Sequence, residues 1–171
     1  MEHPITRMIL SHDGSTTRLL EELLREPLSL RTTLQTLREA HAVLPRHLRA
    51  RLQVEPADPV VLRRSQLVTR SGWVVTSNKV VGNPLHPAAQ LALAAQDRPL
   101  GLVLRANRLE QHRDQLAAGT TSWYWPGYGH LSSCWRDYLI TVSGRPALYI
   151  RETFHPEVAP VDVRPVEPLA L

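Results

Sequence analysis

Two pairs of β-rich runs, each closed by a short turn containing glycine, constrain this chain most. Val60 to Thr69 and Trp73 to Val81 flank Arg70-Ser71-Gly72. Cys134 to Val142 and Ala147 to Phe154 flank Ser143-Gly144-Arg145-Pro146. Each pair reads as a hairpin, so the chain needs a sheet with antiparallel neighbours. Helical patterns stand around them. In Ser11 to Arg25, Asp13 or Ser15 can cap a helix, Leu19, Leu20, Leu23 and Leu24 form one apolar stripe, and Glu26-Pro27 ends it. Leu28 to Leu37 alternates as a strand, and Ala42 to Asp58 is a connection with a short helix near Pro45 to Leu52. His86 to Gln96 is rich in Ala and Leu and predicts a helix, followed after Pro99-Leu100-Gly101 by a helical turn to Arg105. Arg108 to Ala117 is read as a strand and Gly119 to His130 as a long loop. From Pro156 the chain carries Pro160, Pro165 and Pro168 and is expected to be extended or disordered. The fold class is α+β: a single, largely antiparallel six-stranded sheet with helices on one face.

Several function classes are excluded at this level. A single cysteine, Cys134, rules out an internal disulfide framework and suits a reducing cytoplasm. No apolar run reaches the roughly 18 to 20 residues of a membrane span, and Met1 to Leu10 does not read as a secretory signal. The net charge is +4, and all 20 basic residues but Lys79 are arginine. They are scattered among acids without a basic run, which argues against nucleic acid. A small anionic ligand uses the guanidinium fork better. The eight histidines form no metal-ligand pair, and the eight glycines form neither a Walker loop nor Gly-x-Gly-x-x-Gly. Ser132 and Ser133 have no marked base. By elimination, an enzyme here would work with polar side chains on strands, without metal or cofactor.

Three segments hold candidate site residues. In Val61-Leu62-Arg63-Arg64-Ser65-Gln66-Leu67, successive side chains take opposite faces. Arg63 and Arg64 therefore cannot both point inward, and the inward one needs an anion or several acceptors. In Leu148-Tyr149-Ile150-Arg151-Glu152-Thr153-Phe154, Glu152 shares its face with Leu148, Ile150 and Phe154. A carboxylate there must be paired or protonated, and an internal pair with Arg63 or Arg64 is the plain structural alternative. Lastly, six of nine aromatics, Trp123, Tyr124, Trp125, Tyr128, Trp135 and Tyr138, fall within sixteen residues. Such a segment is either a lid over a ring-shaped ligand or a loop folded onto its own core.

At these segments the sequence resembles the chorismate lyase (chorismate–pyruvate lyase) family, especially its bacterial 4-hydroxybenzoate-forming members. Asp13-Gly14-Ser15-Thr16-Thr17-Arg18-Leu19-Leu20, with the strand from Leu28, is similar to the family's opening. Val61 to Gly72 is similar to its strand with an arginine before a Gly turn. Pro99-Leu100-Gly101 matches its Pro-Leu-Gly motif, and Arg136 to Phe154 its closing hairpin. The four stand in the family's order over residues 11 to 156. One domain, 1–171, is expected, with that core and a Pro-rich tail over 157–171.

The resemblance implies a ligand enclosed between sheet and helical flaps, and conversion of chorismate to 4-hydroxybenzoate and pyruvate without metal or cofactor. The binding arginine of the first hairpin falls on Arg64 if the Gly72 turns are matched, the preferred reading, and on Arg63 otherwise. Glu152 and Arg64 are the expected catalytic pair. Arg63, Asn78, Leu100, Gly101, Arg136, Trp123 and Trp125 are expected to contact substrate. Asn78 stands where the family has a second arginine, Asp137 follows Arg136 where the family pairs arginines, and Gly119 to His130 is unusually aromatic. These departures open a second reading, the same fold retuned to another aromatic or polyene substrate. A third is a non-catalytic module that binds an aromatic acid; the same fold serves as the effector-binding domain of transcription regulators. No DNA-binding segment precedes residue 11, which argues against a stand-alone regulator. The expected partner is a small cyclic carboxylate, with no nucleic acid and no membrane, in a cytoplasmic monomer or homodimer.

Overall fold

The computed structural model describes residues 3–161. Six strands form one antiparallel sheet in the order β1-β2-β3-β6-β5-β4. They are β1 Ser29–Glu39, β2 Pro59–Val68, β3 Val74–Gly82, β4 Gln111–Trp125, β5 Gly129–Val142 and β6 Arg145–Phe154. Six helices complete the α+β fold: α1 Pro4–Ser11, α2 Thr16–Leu24, α3 Ala40–Val43, α4 Arg46–Leu52, α5 Pro87–Ala94 and α6 Leu100–Ala106. β6 lies in the middle and joins two meanders, β1-β2-β3 and β4-β5-β6. Both expected hairpins are present. The second turns on Ser143 and Gly144, whose φ values of 51° and 74° fit the two-residue primed turn that matches strand twist.

Strand alternation divides the core into layers. On one face, Val80, Tyr138, Ile140, Leu148 and Ile150 pack against Ala88, Ala89, Ala92 and Leu93 of α5 and Leu100 and Leu104 of α6. α5 lies close to the sheet because residue 82 is glycine: a Cβ there would meet Leu93 Cδ1 at 2.5 Å. At the other end of the layer, Ile9 and Leu10 of α1 and Leu20 of α2 pack with Leu67, Cys134 and Phe154. Leu62, Val81, Leu139 and Tyr149, pointing the other way, pack with α3 and α4. Four helices thus cover the first face, and α3 and α4 cap part of the second.

Three expectations change. Pro4–Ser11, read only as a short apolar patch, is a helix capped by His3, whose Nδ1 accepts from Ile5 N–H at 3.3 Å. Gly119 to His130 is not a loop. β4 and β5 stay paired through Trp125↔Gly129, and Tyr128 N–H donates to the Trp125 carbonyl at 3.0 Å across Pro126-Gly127. Proline followed by a glycine at φ 86° is the chemistry of a tight type II turn, so the strands run to the tip. The tail does not leave the fold at Pro156, because Val158 and Ala159 are buried and Thr6 Oγ1 donates to the Pro160 carbonyl at 2.6 Å. The rest of the expected tail, 162–171, lies outside the described residues.

Candidate functional site

Neighbouring rows of side chains cross the sheet beneath α2 and α6. One places Ser65, Asn78, Glu152 and Arg136 side by side on β2, β3, β6 and β5. The next places Arg63, Val80, Ile150 and Tyr138 in the same order. Above them, Ser15, Thr16 and Thr17 from the start of α2 and Pro99 to Leu102 from the start of α6 close a cavity of about 50 Å³. That volume admits a few water molecules.

Glu152 is 6% exposed and accepts three hydrogen bonds. Thr16 Oγ1 and Arg136 Nε donate to Oε2, and Tyr138 OH donates to Oε1, each at 3.0 Å. Burial, and then the neighbouring Glu152 charge, push the Tyr138 phenol above its ordinary range, so it remains a donor. The buried partner of Glu152 is therefore Arg136, not Arg63 or Arg64. Arg136 is 2% exposed. Its Nη1 donates to the carbonyls of Ile9 at 2.7 Å and His12 at 2.5 Å, and its Nη2 to Thr16 Oγ1 at 2.8 Å. It ties the carboxylate to the α1–α2 connection and does not line the cavity. Arg136, expected to contact substrate, directs its donors at Glu152, Thr16 and the carbonyls of Ile9 and His12.

β2 is resolved in favour of Arg63. It is 0% exposed and lines the cavity, while Arg64 is exposed on the far side of the strand. The preference for Arg64 as a catalytic residue is corrected by strand alternation, since an arginine one position along must point away. Arg63 Nε donates to Gln35 Oε1 at 2.6 Å, and its Nη2 donates to the Leu93 carbonyl at 2.5 Å. No carboxylate lies within ion-pair distance of it among the described residues. Burial pushes its pKa down, the sign of a cation held without full compensation.

Asn78, Leu100 and Gly101, expected to contact substrate, are in the cavity wall. Asn78 Oδ1 is buried and accepts no hydrogen bond among the described residues. Trp123 and Trp125 do not reach the cavity. With Trp73 they surround His155, with ring centroids 5.4, 4.5 and 4.8 Å from it. His155 is 2% exposed, and its Nδ1 accepts from Glu157 N–H at 3.2 Å. In the rest of the aromatic segment Tyr124 and Tyr128 are exposed and Tyr138 lines the cavity, while Trp123 and Trp125 pack on the protein's own core. These indoles anchor the β4–β5 tip against the start of β3 and the chain after β6.

Sequence reasoning missed Arg113, Tyr138, Thr16 and Ser65 in the cavity wall. Tyr138 carried a usable signal, since it lies two residues, hence one face, from the apolar Ile140; Arg113, between Gln111 and Gln115, carried none. Thr16 carried none beyond its closeness to the cap Ser15.

The fold and cavity define a class: an open antiparallel sheet whose central strands and overlying helix starts enclose a small-molecule pocket. Residues 10–161 match the family model described as Chorismate pyruvate-lyase Rv2949c-like, and the chain belongs to that family. No curated protein matches it by sequence. Among solved structures it is similar to PhnF from Mycobacterium smegmatis, with TM-score 0.65 and 10% identity over 92% of this chain and 71% of that one. The effector domain of PhnF superposes with TM-score 0.60 and 10% identity, covering 84% and 90%. The C-terminal domain of YurK from Bacillus subtilis gives 0.57 and 14%, covering 74% and 89%. At such identities the likeness is one of fold.

Proposed function

We propose that the protein is a lyase that eliminates pyruvate from chorismate and leaves 4-hydroxybenzoate. The observation that carries this is the meeting of Glu152 and Arg63, from separate hairpins, in the wall of one enclosed cavity. The family membership supports the same reaction class. In the reaction the ring–ether C–O bond breaks and the hydrogen leaves the hydroxyl-bearing ring carbon. The released enolpyruvate takes up a proton on its methylene carbon and becomes pyruvate. Aromatisation supplies the driving force, so the chemistry asks for neither metal nor cofactor. The protein's task is to hold a reactive conformer away from water. Arg63 pairs with the ring carboxylate through charge-assisted bonds. Glu152, oriented by Arg136, Thr16 and Tyr138, accepts from the ring hydroxyl, with the free acceptor Asn78 Oδ1 beside it. Ile150, Val80 and Leu100 supply the apolar walls.

A second reading is favoured by the neighbours, one of which is the effector domain of PhnF. In it, the cavity binds an aromatic acid without turnover. Mixing the purified protein with chorismate separates the two. Release of pyruvate and 4-hydroxybenzoate in equal amounts supports the lyase. Tight binding of 4-hydroxybenzoate with no pyruvate supports the binding module, and neither result points to a different ring-shaped substrate.

A further inference from the structure

We propose that Arg113 of β4 holds the second carboxylate of the substrate, the one on the enolpyruvyl group, at the mouth of the cavity. The inference rests on the chorismate reading above and adds a residue from outside the first and closing hairpin pair. Arg113 lines the inner cavity and also the outer cleft formed by Asp13, Gly14, Gly101, Arg105 and His112. It therefore stands at the boundary between enclosed space and solvent.

The guanidinium is lightly held. Its Nη1 donates to the Gly14 carbonyl, and its Cζ lies 5.2 Å from the centroid of the Tyr138 ring. No carboxylate is within ion-pair distance among the described residues. Five N–H donors sit on that fork, so donors remain for an anion. The guanidinium lies against Gly101, where a Cβ would stand 2.7 Å from Arg113 Nη2 and shift it.

Charge around the cavity points the same way. Arg63, Arg113 and Glu152 line the inner cavity, and Glu152 is already paired from behind by Arg136, which does not line it. Two positive charges stay uncompensated, matching a dianion. Asn78 cannot be the second cation, since its side chain is neutral. Arg63 sits deep, under the Leu93 carbonyl, which suits the carboxylate that stays on the ring. Arg113 sits at the mouth, which suits the carboxylate that departs with pyruvate.

The test compares two ligands. Chorismate carries both carboxylates; 4-hydroxybenzoate carries only the ring carboxylate. Arg113→Gln is expected to raise KM for chorismate about 10- to 100-fold, the loss of one charge-assisted pair. The Kd for 4-hydroxybenzoate, by calorimetry, is expected to move less than about threefold, and Arg113→Lys to recover part of the chorismate loss. Gly101→Ala, which displaces the guanidinium without deleting it, is expected to move KM in the same direction by less. The proposal is overturned if Arg113→Gln leaves KM unchanged, or if both ligands weaken equally. If the native protein releases no pyruvate, the lyase reading fails by itself, and chorismate Kd replaces KM in the same comparison. Selective loss of chorismate then supports Arg113; equal loss, no loss, or no chorismate binding to the native protein overturns it. A melting temperature for each variant confirms that it is folded, and Gly101→Ala decides if Arg113→Gln is not.

Discussion

Replacing Glu152 by Gln separates what this side chain does for the fold from what it does for the ligand. The change keeps shape and removes the charge that Arg136 pairs at 3.0 Å, with both side chains under a tenth exposed. Removing one partner of a buried pair costs about 3–5 kcal/mol, mostly from the charge left behind. Here the stranded guanidinium keeps the carbonyls of Ile9 and His12 and the Thr16 hydroxyl, so the low end applies, about 3 kcal/mol. For a chain of this length that corresponds to a fall of about 6 to 12 °C in melting temperature, still leaving a folded protein. Arg136→Met in the Glu152→Gln background removes the stranded charge, so the double variant is expected to lose less than the two single losses added, by about 1–3 kcal/mol. Urea unfolding of the four proteins measures this. Pyruvate release, coupled to lactate dehydrogenase, is expected to fall about 10- to 100-fold in folded Glu152→Gln, as for a lost charge-assisted bond to the ring hydroxyl. If the single variant loses under about 1 kcal/mol, the pair does not hold the α1–α2 connection down. If stability falls as expected and turnover does not, Glu152 is a structural acid and its place in the reaction is refuted.

Arg63→Met is expected to change stability by no more than about 1 kcal/mol, because the buried cation has no carboxylate partner to strand, while weakening 4-hydroxybenzoate binding by at least about tenfold. Arg64→Ala, on the exposed side of β2, is expected to leave both unchanged; turnover lost at residue 64 and kept at residue 63 would reverse the assignment. Trp125→Ala is expected to cost about 2 kcal/mol of stability with the ligand Kd unmoved, and a loss of affinity without loss of stability would return the aromatic hairpin to the site. Burial pushes the pKa of His155 and of His86 below the ordinary histidine value, helped at His86 by Arg145 and opposed at His155 by Glu157. In each, Nδ1 accepts a backbone N–H, so protonating it removes that bond. The unfolded chain then binds more protons than the folded one as acid is added. Their contribution is complete above about pH 6.5 and is lost as pH falls through the lowered folded values. Denaturation midpoints from pH 8 to 5 are expected to fall, and to fall less in His155→Phe.

How far the chain can be read without coordinates depends on whether one face of each element is polar. α2 was legible because Ser15 caps it and Leu20 marks a single buried stripe, and the Ser143-Gly144 turn because only positive φ closes a two-residue hairpin. β2 was not, because both its faces are covered: Leu62 by α3 and α4, Leu67 by α1 and α2. Apolar residues on both sides leave no alternation to say which arginine turns inward. Matching on the Gly72 turn then chose the wrong neighbour, and in a strand one residue is the whole difference between cavity and solvent. The partner of Glu152 was out of reach for another reason. Arg136 lies directly across from it on β5, and that register depends on a β-bulge between Ile140 and Thr141 that no local pattern announces. Pro126-Gly127, by contrast, was a turn signal in plain view, outweighed by the density of aromatic side chains around it.

The same register explains why the aromatic cluster and the cavity are separate. β4 and β5 are the longest strands, and their tip extends past the rows that carry Arg63 and Glu152. Indoles at residues 123 and 125 are one strand-spacing apart on one face, so both fall on whatever lies at that end, which is His155. The cavity instead sits over the middle of β6, where it is flanked by strands on both sides and covered by helix starts. A carboxylate held there can be surrounded by donors from α2 and β5 without reaching solvent, as Glu152 is. Arg63 and Arg113 line the same cavity from β2 and β4, with no carboxylate within ion-pair distance among the described residues. The sheet thus holds Glu152, with its three donors, among the central strands, and places Arg63 on β2 and Arg113 on β4 to either side of it.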